Sequence, residues 1–239
     1  MNQHIFKTAG QIKKSRIQVK VSSDDLRTLN PKAYINDQIL NACFTMAQKS
    51  HKQLRASQST PITAAILHSQ FFIKIQTIGT SDRCYYDRWL ATQGFHIKDL
   101  EYLIIPANAR KHWFIAVIDI PEDRIEIYNS LPGHSVEKEV DQITNWWLWY
   151  SSELYDTDTD VASCPVIYHH KIRQAEGSND CGVVASLVAT CIPHGLPPTK
   201  TIQEKGLNQE GLGKVRAVIK RAIQENNIDP LLSILRTAN

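Results

Sequence analysis

The 239-residue chain is expected to form one α+β domain. Three observations carry that expectation. A mid-chain block alternates strand-like runs with turns: YLIIP at 102–106, WFIAVIDI at 113–120 and RIEIY at 124–128, with Pro121, Glu122 and Asp123 between the last two. Helix-length segments lie on both sides of that block, and their apolar residues recur at helical spacing. No internal repeat and no long linker divides the chain, so a single core is expected, with residues 1–23 as a polar N-terminal arm and 24–239 as the domain.

In chain order, IQVKV at 17–21 is strand-like, and 24–29 form a short turn or helix capped by Ser22 or Ser23. Residues 38–48 form a helix with Ile39, Leu40, Cys43, Phe44 and Ala47 on one face. The polar stretch 50–60 is expected to be a loop. The apolar runs 63–67 and 71–75 fit helix or strand, and 83–92 a helix carrying Trp89. Beyond the sheet block come a Trp-rich helix at 136–150, an acidic loop at 156–160 and a strand at 166–172. A helical stretch at 201–227, interrupted by glycines, and a short helix at 230–236 complete the chain.

Hydrophobic residues make up 42% and charged residues 21% of the chain, the composition of an ordinary globular protein. The net charge of +3 is small and spread along the chain, which argues against nucleic acid as a partner. No apolar run reaches the ~20 residues of a membrane span. The first residues, MNQHIFKTAGQIKK, lack the apolar core of a signal peptide. The five cysteines, Cys43, Cys84, Cys164, Cys181 and Cys191, are odd in number and include no CxxC pair. That pattern fits a reducing compartment rather than a disulfide framework or a zinc site, and neither a metal nor a cofactor is expected.

The stretch QAEGSNDCGVVASLVATC at 174–191 joins loop chemistry to an apolar helix. Gly177, Ser178, Asn179 and Asp180 favour turns and caps, and the run from Val183 onward is buried-helix sequence. Cys181 falls at the junction. Free N–H groups and the helix dipole there favour a thiolate, and Gly182 permits close backbone approach. A nucleophilic cysteine would occupy such a position; the alternative is a small buried core residue, as Cys191 is expected to be.

His112 precedes the strand-like run 113–120, and Asn129 follows the run 124–128. If the two runs form a hairpin about 121–123, their outer ends are neighbours and His112 lies beside Asn129. An amide oxygen could then orient the imidazole, and with Cys181 the chain would hold a nucleophile, a base and an orienting group. Taken singly, His112 also fits an exposed loop residue and Asn129 a turn residue.

The ordered segments YINDQILNACF, DRWLATQGF, LEYLIIPANARKHWFIAVID, IEIYNSL and QAEGSNDCGVV resemble the ubiquitin-like-protein-specific cysteine proteases, the family of SUMO proteases related to the adenovirus protease. The resemblance implies a papain-like, adenovirus-protease-like fold: a central mixed sheet flanked by helices, with the catalytic Cys at a helix N-terminus. It implies a thiol isopeptidase or peptidase that cleaves after the C-terminal Gly-Gly of ubiquitin or a ubiquitin-like modifier. The modifier and its conjugates would be the partners, and the enzyme would act as a monomer. By the same resemblance Cys181 is the nucleophile, His112 the base, Asn129 its orienting partner and Gln174 an oxyanion donor. Trp113 and Tyr34 would wall a slot too narrow for any residue but glycine, and Asp37 would contact the modifier.

Three departures mark a divergent member. Asn129 stands where the family has Asp, so the imidazolium is less stabilised unless a neighbour such as Asp119 helps. Gln174 and Cys181 are separated by seven positions, one more than expected, and Tyr34 replaces a tryptophan. Two other functions share the scaffold. One is an acetyltransferase, for which Lys200, Lys205, Lys214, Arg216, Lys220 and Arg221 would have to build a basic cofactor pocket. The other is a catalytically weak modifier-binding pseudoenzyme. Recognition of the modifier is expected to lie in the segments 50–60 and 135–160 and in the N-terminal arm. The resemblance implies a cytoplasmic or nuclear protein, or an effector delivered by a bacterium into a host cell.

Overall fold

The computed structural model describes residues 19–57, 62–131, 133–155, 164–208 and 211–236. The elements follow in the order α1 (Ser23–Arg27), α2 (Asp37–Ala56), β1 (Ala64–Ile66), α3 (Gln70–Ile78), α4 (Arg83–Thr92), β2 (Tyr102–Ala109), β3 (His112–Asp119) and β4 (Arg124–Tyr128). Then come α5 (Glu137–Tyr155), β5 (Val166–His169), α6 (Cys181–Cys191), α7 (Pro198–Glu204), α8 (Leu212–Glu225) and α9 (Asp229–Arg236), with 3-10 turns at Ile97–Asp99 and Ile192–His194. The five strands form one sheet in sequence order, so β3 is central. The sheet is mixed: β1 and β5 run parallel to their neighbours, while β2, β3 and β4 are antiparallel.

Strand alternation divides the core into two layers. Trp113, Ile115 and Val117 of β3 face one layer, where they join Ile39, Leu40 and Phe44 of α2, the whole apolar run of α6, and Val215 and Ile219 of α8. Phe114, Ala116 and Ile118 face the other, built from Phe71, Tyr86, Val140, Trp146, Trp147 and Tyr150. All eight residues of β3 are buried. All eleven of α6 are buried as well, which suits a helix that is apolar on every side.

The expected sheet block is present, with β2 running three residues further than YLIIP suggested. Three expectations fail within the described residues. The strand expected at 166–172 stops at His169. Residues 19–21 are not in a strand. Helix α2 continues through residues 50–56, expected as loop: His51 is buried and accepts from the Ala64 amide, while Gln48 bonds the Ala64 carbonyl and the Ile66 amide, so the extra turns seal the edge of β1. The ambiguous runs resolve into β1 and α3. Residues 17–18, 58–60 and the acidic loop at 156–160 lie outside the described residues, as does most of the arm.

Candidate active site

Hairpin geometry positions the first part of the site. β2 and β3 are joined by two residues, with Ala109 opposite His112, and both turn residues have left-handed backbones: Arg110 at φ 49° and Lys111 at φ 65°. This is the tight connection that matches the twist of the strands, made without glycine. The Asn108 side chain accepts from the Lys111 amide at 3.1 Å and steadies it. β4 then brings Asn129 back to His112, with Nε2 of the ring 2.8 Å from Oδ1 of the amide.

The network also settles which way each group faces. Asn129 Nδ2 donates to the His134 carbonyl at 2.9 Å, and Oδ1 accepts from the Leu131 amide at 3.0 Å. The oxygen therefore faces the imidazole, Nε2 carries the proton, and Nδ1 keeps the lone pair. The His134 ring lies 4.7 Å from the His112 ring. Burial pushes His112 down to about 4; the Asn129 bond opposes the shift and His134 adds to it. Asp119, considered a possible helper, is seven positions further along β3, roughly 23 Å away. It pairs with Arg124 at 2.8 Å, so Asn129 works without it.

Cys181 opens α6 and is buried. The backbone N–H groups of Trp113, Gly182 and Cys181 itself and the charge of Arg216 favour its thiolate form. Cys181 shares one core layer with Trp113, the residue next to His112. Burial is the largest influence and raises the thiol above its ordinary value; the amides and Arg216 only partly offset it. The expected bias of the helix N-terminus toward thiolate exists, but desolvation outweighs it. Near neutral pH the thiol and the imidazole both rest uncharged.

Trp113 donates its indole N–H to the Ile35 carbonyl at 2.9 Å, tying β3 to the segment that carries Tyr34. Tyr34 in turn accepts from Asn108 Nδ2 at 2.8 Å. Gly182 packs against the same segment: a Cβ there would stand 2.8 Å from Ile35 Cβ, so the close approach that glycine permits is to Ile35. Gln174 is held at three points. Its amide N–H bonds the Ser130 carbonyl at 3.0 Å, Oε1 accepts from Ser130 Oγ at 2.9 Å, and Nε2 donates to the Ser178 carbonyl at 2.6 Å. One N–H of the side-chain amide remains to serve another acceptor. Asp37 begins α2 and is partly exposed; the cap is the neighbouring Asn36, which accepts from Ile39.

Two contributors were not assigned to this site by the sequence: Ser130 was not named, and Arg216 was named only for a cofactor pocket. Ser130 follows Asn129 directly and fixes Gln174. Arg216 of α8, only 3% exposed, bonds Asp180 at 2.8 Å, the Asn179 carbonyl at 2.8 Å, and the Thr28 and Asn30 carbonyls at 3.1 and 3.3 Å. One guanidinium thus clamps the loop before Cys181 to the loop before Tyr34, using the fork of donors that only arginine has. Breaking such a buried pair costs about 3–5 kcal/mol.

The basic residues considered for a cofactor pocket do not gather beside Cys181. Lys200 lines a cavity of about 630 Å³ with Asp119, Arg124, Glu126 and Lys171, past the far end of α6 and beside the far end of β3. Arg216 is consumed by the clamp, and Arg221 lies 3.9 Å from Glu225. Among the described residues no group of three or more His, Cys, Asp or Glu could hold a metal ion.

Comparison with known proteins agrees with this geometry. Residues 33–231 match the family model described as the Ulp1 protease family, C-terminal catalytic domain. The chain is similar to ubiquitin-like-specific protease 1A of Arabidopsis thaliana, with 21% identity over 69% of this chain and 33% of the relative. It is similar to human sentrin-specific protease 2, with 23% identity over 80% of this chain and 31% of the relative. It therefore spans about a third of the length of these curated relatives. Among solved structures, the C-terminal Ulp1 protease domain in complex with Smt3, the yeast ortholog of SUMO, superposes with a TM-score of 0.68 at 19% identity, over 88% of this chain and 86% of that one. The Chaetomium thermophilum Ulp1-like SUMO protease catalytic domain gives 0.66 at 20% identity, over 87% and 79%. These likenesses establish the fold, and the family match establishes the lineage: the chain belongs to the Ulp1 protease family.

Proposed function

We propose that this chain is a thiol-dependent isopeptidase and peptidase that cleaves after the C-terminal Gly-Gly of a ubiquitin-like modifier. SUMO is favoured over ubiquitin, because one of the solved structures named above holds the yeast ortholog of SUMO and the other is a SUMO protease domain. The observation that carries the reading is the pairing of His112 Nε2 with Asn129 Oδ1 at 2.8 Å on the strand that also brings Trp113 to Cys181.

In this reading Nδ1 of His112 takes the Cys181 proton as the sulfur attacks the glycine carbonyl. The oxyanion is met by the Cys181 N–H and by the free N–H of Gln174. Collapse expels the lysine or peptide amine, which takes the proton from His112 and leaves a thioester. Water, deprotonated by the same ring, hydrolyses the thioester and restores the thiol. Trp113 and Tyr34 wall the tail slot, and Asp37, partly exposed beside it in sequence, contacts the modifier. The residues of an intact Cys–His–Asn–Gln set favour turnover over mere binding. We place the enzyme in a reducing compartment, cytoplasm or nucleus, in keeping with five unpaired thiols; delivery into a host cell as an effector is the alternative setting.

A panel of SUMO, ubiquitin and related modifiers carrying a C-terminal electrophile tests the proposal. At least one probe is expected to label the wild-type protein at Cys181 and to leave Cys181→Ala unlabelled. Labelling that survives Cys181→Ala, or no labelling by any probe, overturns it.

A further inference from the structure

Asn129 and Ser130 are consecutive, and their side chains serve different parts of the site. Asn129 Oδ1 meets the His112 ring at 2.8 Å. Ser130 Oγ lies 2.9 Å from Gln174 Oε1, and the Ser130 carbonyl accepts from the Gln174 backbone N–H at 3.0 Å. Ser130 is 1% exposed and Gln174 5%, so a bond lost here is poorly replaced by water.

A hydroxyl can donate or accept, so the Ser130 contact alone would let the glutamine amide face either way. The Ser178 carbonyl decides. It can only accept, and it stands 2.6 Å from Gln174 Nε2. The amide nitrogen is therefore on the Ser178 side, the oxygen is on the Ser130 side, and the Ser130 hydroxyl is the donor. With the oxygen and one N–H both fixed, the second N–H of the planar amide has a single direction left.

We propose that Ser130 is a positioning residue for the oxyanion donor: its hydroxyl and its carbonyl hold Gln174 so that the free side-chain N–H faces the oxygen on which charge develops. The inference deepens the protease reading and rests on Gln174 serving the oxyanion. Such a donor counts only when it is aimed in advance at the place the oxyanion will occupy. Helix α6 does not aim it. Between Gln174 and Cys181 the chain turns, with Ser178 N–H bonding the Ala175 carbonyl at 3.0 Å and Gly177 at φ 70°, so the anchor comes from the segment that follows β4. Donation from Ser130 to Oε1 also polarises the amide and strengthens its N–H as a donor. Two neighbouring residues thus hold the base and the oxyanion donor, one each.

The test is a double-mutant cycle read by turnover. The substrate is whichever member of the SUMO and ubiquitin panel labels the wild type, carrying a C-terminal aminomethylcoumarin in place of the electrophile. Gln174→Ala is expected to lower kcat about 10²-fold, and Ser130→Ala about tenfold with little change in KM. The double variant should match Gln174→Ala within about twofold, because Ser130 acts only through Gln174. Iodoacetamide alkylation of Cys181, followed by mass spectrometry, forms no oxyanion and should be unchanged in Ser130→Ala. An unaltered kcat in Ser130→Ala, losses that multiply in the double variant, or slowed alkylation overturns the proposal. Should Ser130→Ala not fold, Ser130→Cys, which nearly keeps the volume and weakens the donor, goes through the same cycle with the same outcomes. Failure of the protease reading itself shows earlier and separately, as wild-type protein that no probe labels, and it removes the inference as well.

Discussion

Two histidine contacts lie along β4, and they are built differently. Just past the strand's end His112 meets the amide of Asn129 at 2.8 Å. At its middle the carboxylate of Glu126 meets His169 of β5 at 3.0 Å, in a group that includes Arg124, Asp119 and Tyr128. The distances are alike, but the partner's charge is not. The His169 bond is the main reason Glu126 is held down to about 2, and Tyr128 and Arg124 add to it. The amide offers His112 an oriented oxygen without a countercharge, and burial takes the ring down to about 4. The carboxylate thus stands where an arginine pairs with it. The amide stands where, in the proposed reaction, the imidazole has to rest neutral and take up a proton only when the thiol gives one up.

The strongest way to break this contrast is Asn129→Ala. It removes the oxygen that holds Nε2–H and frees the ring to rotate. A loss of about 10³-fold in kcat is expected in a modifier-cleavage assay, somewhat less than the ~10⁴-fold loss that follows removal of an orienting carboxylate in a serine protease. A loss below tenfold would mean that His112 is aimed by something other than Asn129.

Asn129→Asp sharpens the contrast by giving His112 a carboxylate partner, as His169 has in Glu126. The carboxylate should raise the His112 titration by at least one unit, about tenfold in protonation equilibrium, as read from the ring proton by NMR. The acid limb of kcat/KM should move up in pH with it. The gain is smaller than a bare charge would give, because the carboxylate loses the Asn129 bond to the His134 carbonyl.

The smallest effect is expected at Glu126. Glu126→Gln should leave cleavage unchanged, since the partners of Glu126 are Arg124, Tyr128 and His169 and none of the Cys–His–Asn–Gln set. Its folded value, about 2, lies below the ordinary 4.5, so Glu126 contributes stability that is present above pH 4.5 and lost as pH falls toward 2. Melting temperatures across that window should therefore fall less in the variant than in the wild type. His112 works over a different window. Its folded value is depressed from 6.5 to about 4, so stability falls as pH drops between those values, when the unfolded chain takes up the proton first.

The parts of the site that follow from local periodicity were legible in the sequence. Two strand-like runs about a three-residue turn were enough to set His112 beside Asn129, because antiparallel pairing makes outer ends meet. The loop-to-helix change placed Cys181 at a helix start for the same local reason. Arg216 was not legible: its partners lie on two loops distant in sequence, and an arginine among the lysines of α8 looks like any solvated face. The Tyr34–Asn108 contact spans 74 positions and depends on β2 running past Pro106, which the polar residues 108–111 concealed. The charge state of the site was misjudged for a physical reason. A helix start attracts an anion, but the depth at which α6 is packed decides how much that attraction counts.

Gly182 extends these points to the shape of the cleft. The separation between the sulfur-bearing helix and the strip of chain opposite is governed by a missing methyl group, and Ile35 occupies the room that absence leaves. Any larger residue at 182 would act as a wedge between the helix and that strip. For the enzyme proposed above, selectivity for the slimmest of residues would in this way be inherited from an equally slim residue of its own.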